Sequence, residues 1–250
     1  MLKAIFPPLT ENSNLNFEPA KSVAYLLLIE SSTTICSVAL SRDGKIIALR
    51  EVNEPNKHAE LLTVFCEEVM KEAQLTFNEL DAVAVSKGPG SYTGLRIGVS
   101  AAKGICYALN KPLIAIGTLE AMADGMKSVA QPGDLLCPML DARRMEVYCA
   151  IYDHEGKEIE PVAPHILDEN SFSVLLAERR IIFSGDGMPK AKEMLSKFPN
   201  AVFTDAGNCS AKHLMLPAEK KFNEKDFEDL AYFEPFYLKT FQPGPKRSAS

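Results

Sequence analysis

The chain of 250 residues is 46% hydrophobic and 24% charged, an ordinary globular composition that excludes disorder as the starting assumption and suffices for one large domain or two lobes with proper cores. A formal net charge of −6 and the absence of tryptophan argue against clamping nucleic acid through a basic field over the whole surface, so only a local basic patch stays open. Six cysteines without a C-x-x-C pair (Cys36, Cys66, Cys106, Cys137, Cys149 and Cys209) read as reduced core thiols of a cytoplasmic protein, and the apolar run Val23 to Ile29 is too short to span a bilayer.

Residues 1–20 carry Pro7-Pro8, Asn12, Asn14 and Asn16 without periodicity and read as an N-terminal extension; 242–250 read as a flexible tail. Between them, strands are expected at Ala24 to Glu30, Thr34 to Ser41 and Lys45 to Val52, the last two joined by the hairpin signal Asp43-Gly44. A helix from Asn56 to Ala73, a strand at Asp81 to Ser86, a glycine-rich loop, a helix from Thr93 to Leu109 and a strand at Pro112 to Gly117 follow. The second half reads as a looser copy. Its strands lie near Leu135 to Leu140, Glu146 to Tyr152 and Lys157 to Ile166, with a helix near Glu169 to Glu178, a strand at Ile181 to Ser184, Gly185-Asp186-Gly187 and a further helix. The order fits two related lobes, 21–118 and 119–241, with the last segment free to return to the first lobe, although no sequence repeat marks a duplication.

On a helical wheel Leu61, Leu62, Phe65, Cys66, Val69, Met70 and Ala73 cover about 180°. Covering one sheet needs a stripe of roughly 100°. The next helix carries only Arg96 and Lys103 as charges, while Gly94, Gly98, Ala101 and Gly104 let another backbone approach. Two such helices in succession point to a shared protein-binding face, with His58, Leu61, Leu62, Phe65, Val69, Gly94, Gly98, Ala101 and Ile105 as candidates. On this reading Leu62→Glu or Ala101→Glu weakens association more than folding. A helix wedged deep in one core is the alternative.

Lys87-Gly88-Pro89-Gly90-Ser91-Tyr92-Thr93-Gly94 lies between a strand and a helix, with Thr93 placed to cap the helix. It lacks the Gly-Lys-Ser/Thr of a P-loop, and its glycines run G-x-G-x-x-x-G. A phosphate cradle and a tight turn that seats the helix both remain open. Candidates for a remnant phosphate or nucleotide site are Glu30, Ser32, Gly88, Gly90, Ser91, Thr93, Asp141, Gly185 and Asp186. His58, His154, His165 and His213 form no metal-binding pair, and no G-x-S-x-G elbow is present.

The runs Leu28-Ile29-Glu30-Ser31-Ser32, His58-Ala59-Glu60-Leu61-Leu62, Lys87 to Gly98, Gly117-Thr118-Leu119-Glu120-Ala121 and Leu140-Asp141-Ala142-Arg143 together resemble the TsaB (YeaZ-like) family of tRNA threonylcarbamoyladenosine biosynthesis proteins, noncatalytic paralogues of the Kae1/TsaD glycoprotease-like family. The resemblance covers roughly residues 24–238. It implies an α/β, two-lobed, actin-like and Hsp70-like ATPase (ASKHA) fold with mixed sheets flanked by helices. It also implies a scaffold that activates the catalytic TsaD and works with the ATPase TsaE to place threonylcarbamoyl on adenosine 37 of tRNAs reading ANN codons. In that family the paired helices bind TsaD. ATP and a metal would belong to the partners, tRNA would be contacted indirectly, and a homodimer through the same helices stays open.

The catalytic relatives carry His-Met-Glu-Gly-His where this chain has Thr118-Leu119-Glu120-Ala121-Met122, so no iron or zinc site is expected. Glu30 stands where many family members have Asp, and the N-terminal extension lies outside the family pattern. The competing reading is a stand-alone nucleotide-dependent enzyme or a peptidase-like protein.

Overall fold

The computed structural model describes residues 24–239; the extension at 1–20 and the tail at 242–250 lie outside the described residues. Three strands, β1 (Tyr25–Glu30), β2 (Ile35–Arg42) and β3 (Lys45–Asn53), form an antiparallel meander. Helix α1 (His58–Glu72) crosses to β4 (Ala82–Gly88), parallel to β1, and α2 (Tyr92–Leu109) crosses to β5 (Leu113–Gly117), parallel to β4. The sheet order is β3-β2-β1-β4-β5.

After α3 (Thr118–Met126) the same construction recurs. Strands β6 (Leu135–Asp141), β7 (Glu146–Asp153) and β8 (Glu158–Ile166) form a second meander, followed by α4 (Ser173–Glu178), β9 (Ile181–Ser184), α5 (Met188–Leu195) and β10 (Ala201–Phe203). Its order is β8-β7-β6-β9-β10, with β9 parallel to β6 and β10 parallel to β9. Helix α6 (Met215–Glu224) then follows, as α3 follows β5. The duplication that no sequence repeat marks is explicit in the topology. It is the two-lobed, actin-like and Hsp70-like α/β architecture that the resemblance implies.

Both faces of the first sheet are covered, which is why β1 reads as an unbroken apolar run instead of an alternation. Leu27 and Ile29 pack with Leu62 of α1 and Val99 of α2. Leu26 and Leu28 pack on the other face with Ala211, Leu214 and Ala218. A leucine so enclosed contributes about 2 kcal/mol by burial. Helix α3 joins the lobes: Ala121 belongs to the first-sheet cluster, while Leu119, Met122, Ala123 and Met126 belong to the second-sheet one. The segment after α6 runs back along the first lobe, where Glu228 N–H donates to the Leu113 carbonyl (2.9 Å) and Leu230 and Phe233 pack on its core.

Local chemistry shifts several expected boundaries. Asn56 takes φ 64°, so α1 begins at His58. In the second lobe the Asp168 carboxylate accepts from the Asn170 amide (2.8 Å) and Phe172 has φ 58°, so only Ser173–Glu178 of the expected helix forms. Ser91, not Thr93, caps α2 by accepting from the Gly94 amide (3.2 Å).

Candidate functional site: a helix-pair face and a glycine joint

The two helices present a graded surface. On α1, Leu62, Cys66, Val69 and Met70 are buried against the sheet, whereas Leu61 and Phe65 are half-buried and Val64 is 42% exposed. On α2 the buried stripe is Gly94, Leu95, Gly98, Val99, Ala102 and Cys106, with Ile97, Ala101 and Ile105 half-buried beside it. The expected set therefore divides. Leu62, Val69, Gly94 and Gly98 lie inside this lobe and cannot line a free face, because their spacing points them at the sheet. His58 is also buried, its Nε2 3.2 Å from the Ile35 carbonyl, where it ties the start of α1 to β2. Leu61, Phe65, Ala101 and Ile105 remain at the surface, and Ile97, four residues before Ala101, joins them although the sequence reading omits it.

Gly104 is the most informative position. It is exposed in the middle of α2, and a Cβ added there would meet no atom within 4 Å. A glycine inside a helix costs about 1 kcal/mol relative to alanine. No neighbour among the described residues requires that cost.

The glycine loop is a close-packed joint. The Ser91 amide donates to the Ser32 carbonyl at 2.6 Å. A Cβ on Gly90 would sit 2.4 Å from that same oxygen, and one on Gly94 2.1 Å from the Ser31 carbonyl. Gly88, at φ 114°, lies as close to the Phe236 carbonyl. Of the two uses open to the loop, these contacts carry out the seating of α2 on the β1–β2 turn. Thr93 is exposed and stands apart from that joint.

Glu30 and Ser32 are sealed beneath this joint. Glu30 Oε1 accepts from the Ser32 amide (2.7 Å) and the Ser86 hydroxyl (2.9 Å), and Cys209, absent from the sequence candidates, brings its Sγ to 3.7 Å from Ser32 Oγ. Burial raises the Cys209 thiol well above its ordinary pKa, reinforced by Glu30. In the second lobe Asp141, Gly185 and Asp186 come together at the ends of β6 and β9: Asp186 Oδ1 accepts from the Asp141 amide (2.9 Å), and Asp141 Oδ1 pairs with Lys190 (2.7 Å). Thr118 and Met122 are buried side chains. Among the described residues no group of three or more His, Cys, Asp or Glu is placed to hold a metal.

Burial also raises the Glu30 carboxyl above its ordinary value of 4.5, against the pull of donors from Ser32, Ser86 and Ser31. A carboxyl that binds its proton more tightly when folded contributes stability in acid, and that contribution fades as pH rises from its unfolded toward its folded pKa. Glu30→Gln is expected to flatten this decline in urea midpoints measured above pH 4.5. An unchanged slope would assign the decline to another group.

A family model described as TsaD, tRNA N6-adenosine threonylcarbamoyltransferase, matches residues 53–240. The chain is 29% identical over 227 residues to the tRNA threonylcarbamoyladenosine biosynthesis protein TsaB of Bacillus subtilis, covering 86% of this chain and 93% of that protein. It is 33% identical over 151 residues to TsaB of Escherichia coli, covering 58% of this chain and 64% of the relative. The solved structure of YeaZ from Pseudomonas aeruginosa superposes with a TM-score of 0.71 at 25% identity, over 86% of this chain and all of that one. The chain belongs to the TsaD family and within it is TsaB-like, or YeaZ-like.

Proposed function

We propose that this chain is a noncatalytic subunit of the machinery that forms N6-threonylcarbamoyladenosine at position 37 of tRNAs reading ANN codons, and that it activates a TsaD-type catalytic partner by docking through α1 and α2. The observation that carries the reading is Gly104, an exposed mid-helix glycine with empty space over it, flanked by half-buried Ala101 and Ile105 and the Leu61 and Phe65 of α1. That arrangement leaves room for a second backbone to approach an apolar face. The names of the relatives support the pathway, and the buried Thr118 and Met122 support leaving metal chemistry to the partner. ATP handling is assigned to that partner and a TsaE-type ATPase, tRNA is held mainly by the partner, and the complex works in the cytoplasm. The same face serves a second copy of this chain when the partner is absent.

The test is to mix the chain with its TsaD-type counterpart and follow complex formation by sedimentation and tRNA modification by mass spectrometry. Ala101→Glu is expected to weaken association by about 2 kcal/mol, about 30-fold, through an unpaired charge in the contact, with its unfolding curve near wild type. Gly104→Ala should instead raise stability by about 1 kcal/mol. Modification that proceeds equally without this chain would overturn the proposal, as would tight stoichiometric ATP turnover or peptidase activity by the chain alone.

A further inference from the structure

The hairpin between β6 and β7 carries two adjacent arginines in an unusual setting. Arg143 (φ 71°) and Arg144 (φ 52°) both occupy the left-handed region, where glycine and asparagine are the favoured residues. Both are exposed, and neither side chain makes a hydrogen bond or ion pair with any described residue. The other described arginines are engaged: Arg50 with Glu68 and Glu72, Arg180 with Asp134, Arg179 with the Gly133 carbonyl, Arg42 and Arg96 over tyrosine rings. The duplicated topology makes this hairpin the counterpart of the β1–β2 turn. In the first lobe that turn is neutral and shut by the glycine loop; in the second the base is tied to Asp186 and Lys190 while the tip is exposed and cationic.

The arginine tip does not stand alone. Lys190 pairs with Asp141 at its base, and Lys239 pairs with Glu146 and lies over the Tyr148 ring at 5.9 Å, within the field that Arg143 also exerts on Tyr148. Two residues before Lys239, the Tyr237 ring packs tilted against Tyr92 with centroids 5.0 Å apart, and Tyr92 accepts a hydrogen bond from Arg96 at 3.0 Å. A strip of cations interleaved with aromatic rings thus runs from the first turn of α2, across the C-terminal segment, to the second-lobe hairpin. Lys190 and Lys239 are paired with Asp141 and Glu146, so the positive charge that no described carboxylate pairs comes from Arg143 and Arg144 at the hairpin and from Arg96 at the α2 end of the strip.

We infer that this strip is a phosphodiester-contacting surface that meets the tRNA backbone beside the docked catalytic partner. The inference rests on the proposed partnership, because the strip begins on α2, the helix that carries the docking face. Alternating cations and aromatic rings suit a nucleic-acid strand. A nucleoside triphosphate held between the lobes would need the first-lobe turn, which the Ser91–Ser32 contact closes. In a chain of net charge −6 the strip adds a few phosphate contacts to those of the partner and does not bind tRNA tightly alone.

The deciding variant is the double substitution Arg143→Asn and Arg144→Gly, which removes both charges and installs residues that adopt positive φ at less cost. In complex with the TsaD-type partner, tRNA affinity measured by anisotropy between 50 and 200 mM salt is expected to fall about 3- to 10-fold. The salt slope should drop by about 2, uniformly across tRNAs. Complex formation and melting temperature should be retained, and Arg143→Lys with Arg144→Lys should keep the wild-type slope. Unchanged affinity and slope would overturn the inference. Loss of partner binding with tRNA affinity otherwise intact would assign the arginines to an acidic protein surface, and magnesium-ATP displacing tRNA from the wild type but not the variant would assign them to a nucleotide; either result overturns it. If no complex forms even with wild type, the partnership itself fails, and the salt slope of the isolated chain for tRNA still separates the variant from wild type.

Discussion

Leu62→Glu is expected to unfold the first lobe, not to detach a partner. Leu62 is 1% exposed, enclosed by the β1, β2 and α2 side chains of the first core. Truncating such a leucine to alanine costs about 2–5 kcal/mol through lost transfer energy and the cavity left behind. Glutamate adds the desolvation of a carboxylate for which this apolar cluster offers no partner, about 3 kcal/mol or more. The sum is comparable to the whole stability of a typical domain, about 5–15 kcal/mol. Urea titration followed by circular dichroism should show Leu62→Glu largely unfolded or molten in buffer where Ala101→Glu remains native. A Leu62→Glu protein with a wild-type midpoint and lost partner binding would place Leu62 on the docking face after all. The helical wheel could not separate these two residues, because it reports the width of an apolar arc and not which part of it the sheet occupies.

The second large effect is expected at Gly94, where alanine should cost about 3 kcal/mol. The new Cβ would fall 2.1 Å from the Ser31 carbonyl oxygen. Relief requires moving α2 away from the β1–β2 turn, which also strains the Ser91 amide to Ser32 carbonyl bond and the donors around Glu30. Gly104→Ala, in the same helix with open space above it, serves as the internal control and should change stability in the opposite direction. Equal unfolding free energies for the two alanine variants would refute the account of the glycine loop as a seat for α2. A phosphate cradle would make a different demand: loss of ligand affinity at Gly94→Ala without loss of stability.

Much of the chain was legible from local pattern. The strands β1 to β9 and the helices α1 and α2 follow from apolar runs and turn residues, since those signals act within a few residues. Helix α3 was not legible. Six of its nine residues are buried, and only Glu120 and Asp124, one turn apart, mark a polar side, too narrow a signal in so short a segment. Helix α4 came out shorter than expected because the Asp168 turn captures the residues before it. Cys209 and the stretch from Glu228 to Lys239 carried no recognised motif, although the aromatic density of Tyr232-Phe233-Glu234-Pro235-Phe236-Tyr237 was a visible sign that this stretch packs against something.

By itself the sequence determined the α/β class, the two-lobe order, the presence of a glycine-rich loop before α2, the lack of histidine at 118 and 122, and the surplus of apolar surface on α1 and α2. These are properties of composition and of spacing along one element. Only the tertiary structure decided which apolar side chains face the sheet and which face outward, because burial depends on what the other elements bring to each face. It alone closed the first-lobe turn with the glycine loop and left the tip of the equivalent turn of the second lobe exposed, with Arg143 and Arg144 unpaired among the described residues. Those differences arise between segments far apart in the chain, where distances set by packing, and not neighbouring residues, decide the chemistry.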